Sequence, residues 1–317
     1  MLQEICSNLH KLLSTAVNDC KSESIALSGG LDSSILAFCL NDKKINAFAT
    51  IAKDFTSTDL VYSQLVAKQI GLPLEVQTAS IEQLLFAVDK TIKILKVFNP
   101  IEIRNAIVIF LTISMVKEKG YSSIITGDGA DELFAGYSFF QKMTPVELQK
   151  DLERIWQVMH FPSKIIGKSI GVDVEMPFLN DSVVKYAKSI PADLKVHEEK
   201  GKKFGKWILR KSFEGILPEE IVWREKSAMQ DGSGTTGLTS FFSNLISDSV
   251  FKNKLLLYLE TEKVRLGTKE SLYYYEIYRK YYDPPAFLGV SKSRCPECSG
   301  AILTGSHFCR MCGSFPI

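Results

Sequence analysis

The chain has 317 residues, 45% of them hydrophobic, with 38 basic and 36 acidic side chains and a net charge of +2. That is enough apolar material for a real core and a length that suggests about two domains, while the near-neutral balance excludes an overall electrostatic case for nucleic acid and leaves only local patches. No run of 18 apolar residues is present, which argues against a membrane span. The start, MLQEICSNLHKLL, lacks a basic head followed by an apolar block, so no signal peptide is expected and the chain is expected in the cytoplasm.

In chain order, Leu2, Ile5, Leu9, Leu12, Leu13 and Ala16 recur at helical spacing and predict an N-terminal amphipathic helix over residues 1–20. Ser24–Leu27 reads as a short strand that stops at Gly29-Gly30, and residues 31–40 have helical character. Asn46–Ile51 is a second strand, Asp59–Ile70 a helix stopped by Gly71, and Leu74–Gln77 a third strand. Helices follow over roughly 80–95 and 101–119, then a fourth strand, Ser123–Thr126, which runs into GDGADE. Alternation of this kind predicts an α/β fold, a mainly parallel doubly wound sheet with helices on both faces. Residues 140–280 show few strand signals and predict a helical second half. Asp283-Pro-Pro-Ala and Ser291-Lys-Ser-Arg read as a linker.

Ligands of an open parallel sheet sit at the carboxyl ends of its strands. Ser28-Gly29-Gly30-Leu31-Asp32-Ser33-Ser34 stands at such an end. Glycines there bare the backbone N–H groups, and the following helix start favours an anion, best a phosphate. Asp32 beside a phosphate requires a metal between them, and Mg²⁺ suits. A Gly-Gly turn with Asp and Ser caps is the plainer alternative for this stretch taken alone. The loop Thr126-Gly127-Asp128-Gly129-Ala130-Asp131-Glu132 brings two glycines and further carboxylates to the same sheet edge, a pairing that a surface turn does not require.

Together these stretches resemble the synthetase domain of asparagine synthetases and β-lactam synthetases, a branch of the N-type ATP pyrophosphatases with an adenine nucleotide α-hydrolase-like fold. The resemblance rests on SGGLDSS and GDGADELFAGY. It continues through Ile103-Arg104, Met176-Pro177-Phe178-Leu179, Lys206-Trp-Ile-Leu-Arg210, Leu217-Pro218 and Trp223-Arg224-Glu-Lys226, over about 25–235. It implies an ATP-dependent carbon–nitrogen ligase that adenylates a carboxylate, releases pyrophosphate and passes the acyl group to ammonia or another amine. It implies that Ser28, Gly29, Gly30, Ser33 and Ser34 cradle pyrophosphate, that Asp32 and Asp131 hold Mg²⁺, and that Leu27, Thr50, Thr126 and Gly127 line the adenosine site of ATP. Lys206 and Lys226 would face the reacting phosphates. Asp128 stands where the family often has glutamate, a position tied to deprotonation of the amine. Substrates would be a small-molecule carboxylate and an amine.

Departures from the family bear on substrate. No cysteine follows Met1, so a glutaminase part is not expected in this sequence, and the amine would be free ammonia, another amine, or ammonia from a separate partner. Glu175 replaces an arginine and Asn180 an aspartate around Pro-Phe-Leu, which predicts a charge reversal near a substrate wall. An alternative function is a tRNA-modifying enzyme of the wider loop family that adenylates a base for sulfur or nitrogen insertion.

The tail carries Cys295-Pro-Glu-Cys298 and Cys309-Arg-Met-Cys312, separated by ten residues. Two CxxC knuckles supply four thiolates for a closed, structural Zn²⁺. The expected domains are thus the helix 1–20, an amide-synthetase domain over 21–285 and a zinc ribbon over 291–317. The ribbon could contact tRNA, a carrier protein or a dimer mate, with Arg294, His307, Phe308 and Arg310 as candidate contacts.

Overall fold

The computed structural model describes residues 2–40, 44–289, 293–303 and 306–317. Ser291 and Lys292 of the expected linker lie outside the described residues. Two compact units are present. One comprises the chain up to Thr50, Thr58–Gln77 and Thr112–Ala228; the other comprises Ile51–Ser57, Thr78–Leu111 and Met229–Ile317.

The elements begin with α1 (Leu2–Asn18), β1 (Ser24–Ala26), α2 (Leu31–Cys39), β2 (Asn46–Ala52), α3 (Asp59–Ile70), β3 (Leu74–Ala79), α4 (Ile81–Leu95), α5 (Pro100–Glu118) and β4 (Ser123–Ile125). These match the expected alternation to within a residue or two. Thr78–Ala79 extends the third strand. Next come α6 (Ala130–Leu133), α7 (Pro145–Val158), α8 (Pro162–Ile170), β5 (Asp173–Glu175), α9 (Asp181–Ser189), α10 (Ala192–Lys195), β6 (Val196–Glu199), β7 (Lys202–Gly205), α11 (Trp207–Phe213) and α12 (Glu219–Val222). The chain closes with α13 (Met229–Gly232), α14 (Gly237–Leu245), α15 (Asp248–Glu262) and α16 (Lys269–Arg279).

The five-stranded sheet has the order β3-β2-β1-β4-β5. The pairs β1–β2, β1–β4 and β4–β5 run parallel. Chain order proceeds outward from β1 to β3, then returns to place β4 on the other side of β1. The reversal therefore lies between β1 and β4, the place where such sheets open a crevice. The two glycine–acid loops follow these two neighbouring strands.

The first unit closes around one apolar cluster. Leu9, Leu13 and Val17 of α1 meet Ile35 and Leu36 of α2, Ile25 of β1, and Ile208 and Phe213 of α11, all essentially buried. The helical spacing read in residues 2–16 is thus the buried face of α1. A smaller cluster joins Phe140, Leu148 and Leu152 with Ala135 and Ala192. The second unit is built on aromatic rings. Phe98 packs edge-on against Tyr275 at 4.9 Å, and Phe242 stacks on Tyr273 at 4.4 Å.

The helical reading of residues 140–280 misses β5 and the antiparallel β6–β7 pair. β5 is three residues long, too short for a period to register. The pair reads VHEE and KKFG, with four of its eight positions charged, because it is a small, largely exposed hairpin rather than a buried strand.

Candidate functional site

The first loop is shaped by close approach. Gly29 adopts φ +71°, and a Cβ there would lie 2.3 Å from the Tyr62 carbonyl carbon in α3. Only glycine allows the loop to lie this close to that backbone. α2 begins at Gly30, which offers no side-chain cap, so the first N–H groups of the helix are left to an outside acceptor. Ser28 and Ser33 lie oxygen to oxygen at 3.3 Å, and Ser34 Oγ donates to Gly30 O at 2.7 Å. Hydroxyls and bare amides thus share one rim, and the capped-turn alternative loses its cap.

The second loop is drawn up to the first. A Cβ on Gly127 would fall 3.0 Å from Asp32 Cβ, so the absence of a side chain there brings the loops together. The Lys206 ammonium lies between them, 2.5 Å from Asp32 Oδ2 and 2.6 Å from Asp131 Oδ1. Lys226 reaches the other oxygen of Asp131 at 2.5 Å. Burial would raise the Asp131 carboxyl, but the two lysines outweigh it and hold it below the usual carboxylate range. Burial likewise works against the Lys206 ammonium, and Asp131 and Asp32 more than offset it.

These two carboxylates fit a metal ion. A cation already stands between them in the form of the Lys206 ammonium, and Asp32 Oδ1 is buried without a hydrogen-bond partner among the described residues. The donor set is all oxygen, as Mg²⁺ prefers.

The backbone around Lys206 is built to place it. The residue has φ +55° at the head of α11, and its N–H donates to Phe134 O at 3.0 Å. A Cβ on Gly136 would lie 1.8 Å from Asp131 Oδ1 and 2.2 Å from Lys206 Cε. The glycine of the AGY stretch therefore makes the room that the ion pair occupies.

Asp128 is held through one carboxylate oxygen. Its Oδ2 accepts from Thr126 Oγ1 at 2.7 Å and from Ser163 Oγ, at the start of α8, at 2.6 Å. Burial raises its carboxyl despite both hydroxyls. Beside it, Tyr137 donates to Glu132 at 2.5 Å, and burial raises the Glu132 carboxyl too.

Of the residues expected at the adenosine, Leu27 is buried and its N–H donates to Phe48 O at 2.9 Å. Thr50 accepts from Thr112 at 2.9 Å, which leaves its O–H free to donate. Thr126 is tied to Asp128, as above.

The expected charge reversal at Glu175 takes a different form. Its two carboxylate oxygens accept from the Lys21 and Ser22 backbone N–H groups, each at 3.1 Å, so the side chain pins the turn before β1. Asn180 caps α9 through Ser182 N–H at 3.0 Å, a task asparagine and aspartate share. Sequence reasoning missed Ser163, Gly136 and the main-chain contacts of Arg210. Glycine in FAGY was the one local signal available.

In the second unit the Sγ atoms of Cys295, Cys298, Cys309 and Cys312 lie within 4.8 Å of one another. The Cys295–Cys312 and Cys298–Cys309 separations are 3.7 and 3.6 Å. A tetrahedral zinc thiolate site requires sulfur separations of about 3.8 Å, so the four residues fit Zn²⁺. Both knuckles are anchored. The second presents Met311 O to Phe98 N–H at 2.9 Å and pairs Arg310 with Glu102 at 2.7 Å. The first offers Glu297 O to Arg265 N–H at 2.6 Å. Arg294 donates to Ser299 O and Gly289 O, each at 2.7 Å. Two of the four candidate contact residues for an outside partner are thus spent within the unit.

A family model described as asparagine synthase matches residues 8–160 and 145–284. The asparagine synthetase [glutamine-hydrolyzing] of Gallus gallus is 31% identical over 304 residues, covering 89% of this chain and 53% of that protein. The asparagine synthetase [glutamine-hydrolyzing] 2 of Oryza sativa subsp. japonica is 27% identical over 282 residues, covering 81% of this chain and 47% of that protein. The chain thus spans about half the length of the curated relatives it matches. A solved NMN synthetase from Francisella tularensis overlaps 88% of this chain and 93% of its own at a TM-score of 0.40 and 13% identity, a likeness that adds nothing to the sheet order described above. On the extent of the family match, which runs through both loops and both lysine segments, this chain belongs to the asparagine synthase family.

Proposed function

We propose that the protein is an ATP-dependent amide synthetase that adenylates a small carboxylate, releases pyrophosphate and transfers the acyl group to ammonia or another amine. The observation that carries this reading is the convergence of Asp32, Asp131, Lys206 and Lys226 at the reversal point between β1 and β4, beside the uncapped start of α2. The α2 amides with Ser28, Ser33 and Ser34 bind the outgoing pyrophosphate. Leu27, Thr50, Thr126 and Gly127 flank the nucleoside. Asp32 and Asp131 hold Mg²⁺, which when bound screens the phosphate charge that a carboxylate nucleophile must approach.

Lys226 stabilises the charge that develops on the α-phosphate, and Lys206, held between Asp32 and Asp131, would offset phosphate charge beside it. Asp128, held by Thr126 and Ser163, accepts a proton from the attacking amine. Its raised carboxyl brings it nearer the pH at which a base must both take and release that proton. The cysteine cluster holds a structural Zn²⁺ that secures the turns on which its knuckles rest.

The test is pyrophosphate release from Mg-ATP with candidate acceptors. Stimulation by aspartate plus ammonium supports the amide reading. Stimulation by tRNA alone supports base adenylation instead, and no release with any acceptor refutes both.

A further inference from the structure

Arg210 is buried, 5% exposed, and its donors go to main-chain carbonyls. Nε donates to Gly205 O at 3.0 Å, and Nη1 donates to Arg224 O at 3.0 Å and to Val222 O. Its guanidinium lies 5.2 Å from the centre of the Phe204 ring. Gly205 immediately precedes Lys206, and Arg224 stands two residues before Lys226. One planar group therefore grips the two segments that deliver the two lysines to Asp131.

A buried cation whose hydrogen bonds among the described residues go to neutral carbonyls is a costly way to fill space. Burial pushes the Arg210 guanidinium down to about 10, against the pull of Asp32 and Asp131. A rigid planar fork bonds both segments in a fixed geometry, which a lysine ammonium on a flexible stem does not fix.

The grip extends through Arg224. That side chain donates to Gly29 O at 3.2 Å, pairs with Asp59 at 3.2 Å and lies 3.7 Å over the Tyr62 ring. The Lys226 segment is thereby fixed to the first loop as well.

We propose that Arg210 is a positioning residue that sets the placement of Lys206 and Lys226 at the shared carboxylate of Asp131. The catalytic part of this inference rests on the amide-synthetase reading; the placement of the lysines does not.

The test is a double-mutant cycle in the full chain with Arg210→Lys, Lys226→Met and the pair. Loss of positioning lowers kcat for pyrophosphate release ~10–100-fold in Arg210→Lys, with the nucleotide KM moved by less than about threefold. In the Lys226→Met background the same change costs at least about threefold less than in the native chain, because one of the two lysines it placed is gone while Lys206 remains. Full multiplicative losses would overturn the proposal. Arg210→Gln provides a second variant, and failure of both to fold would make Arg210 a stability residue and overturn it equally.

A separate readout does not depend on turnover. Amine-reactive labelling followed by mass spectrometry should show Lys206, 3% exposed in the native chain, acylated ~10-fold faster in Arg210→Lys, with lysines remote from the site unchanged. An unaltered labelling rate refutes the placement. Absent pyrophosphate release by the unmodified chain refutes only the functional reading.

Discussion

Lys206 sits at φ +55° at the head of α11, a conformation that a residue with a Cβ enters at a cost of order 1–3 kcal/mol. Phe134 O, Asp32 and Asp131 supply the contacts that hold it there. The room is made by Gly136, so Gly136→Ala should break the ion pair and abolish pyrophosphate release; a fully active Gly136→Ala enzyme would contradict the geometry. Lys226→Met removes the more exposed of the two lysines. The rate should fall ~10²–10³-fold while the folded state survives, as rate assays and circular dichroism would read. Lys206 also competes with any metal for Asp32 and Asp131 while nucleotide is absent. Lys206→Met should therefore bind Mn²⁺ more tightly than the native chain by electron paramagnetic resonance without nucleotide, and weaker binding would count against the shared site. At this scale the two glycine–acid loops pointed to Asp32 and Asp131 as local signals, whereas Lys206 and Lys226 were singled out only through the family resemblance; the structure brings the four side chains together. The sequence could not announce Arg210 or Ser163, whose partners are carbonyls or a carboxylate far along the chain.

Between elements, α7 and α10 meet around a buried lysine. Lys195 is 0% exposed, its ammonium has no hydrogen-bond partner among the described residues, and it lies 4.7 Å from the centre of the Trp156 ring. Burial lowers its pKa to about 7. Between that value and the ordinary lysine value the unfolded chain binds more protons than the folded one, so this residue makes stability rise with pH across that window. Below about 7 both states carry the proton, and the full cost of the buried charge applies. Lys195→Met should be more stable than the native chain at pH 6, with the advantage shrinking toward pH 10 in denaturant titrations. An advantage constant with pH would refute the assignment. The cysteine knuckles are a second such junction. Gly313 lies so close to Asn99 that a Cβ would sit 2.5 Å from its Oδ1, the atom that caps α5 through Ile101 N–H at 3.1 Å. Chelation should lower the melting temperature and speed hydrogen exchange at 98–102 and 263–266. The paired CxxC spacing was legible in the sequence, whereas its docking on the α5 cap was not, since nothing local in PECSG or RMCGS names Asn99.

Across the molecule, the alternation of strand and helix through Ile125 gave away a parallel sheet, and the loops after β1 and β4 gave away the edge where its glycines and carboxylates gather. Strand order was not legible, because pairing partners such as Ile25 and Ile125 are far apart in sequence and equally apolar. β5 and the β6–β7 hairpin escaped for want of length or hydrophobic alternation. Glu175 shows the reverse error, in which a charge at a suggestive place is spent on the Lys21 and Ser22 amides. The account as a whole stands on two acidic loops gripping one metal–triphosphate. Calorimetric titration with Mg²⁺ and α,β-methylene-ATP tests it most directly. The native chain should bind with an affinity that collapses on removal of Mg²⁺, and Asp32→Asn and Asp131→Asn should each weaken it at least ~10-fold. Binding indifferent to the metal and to both substitutions would contradict it.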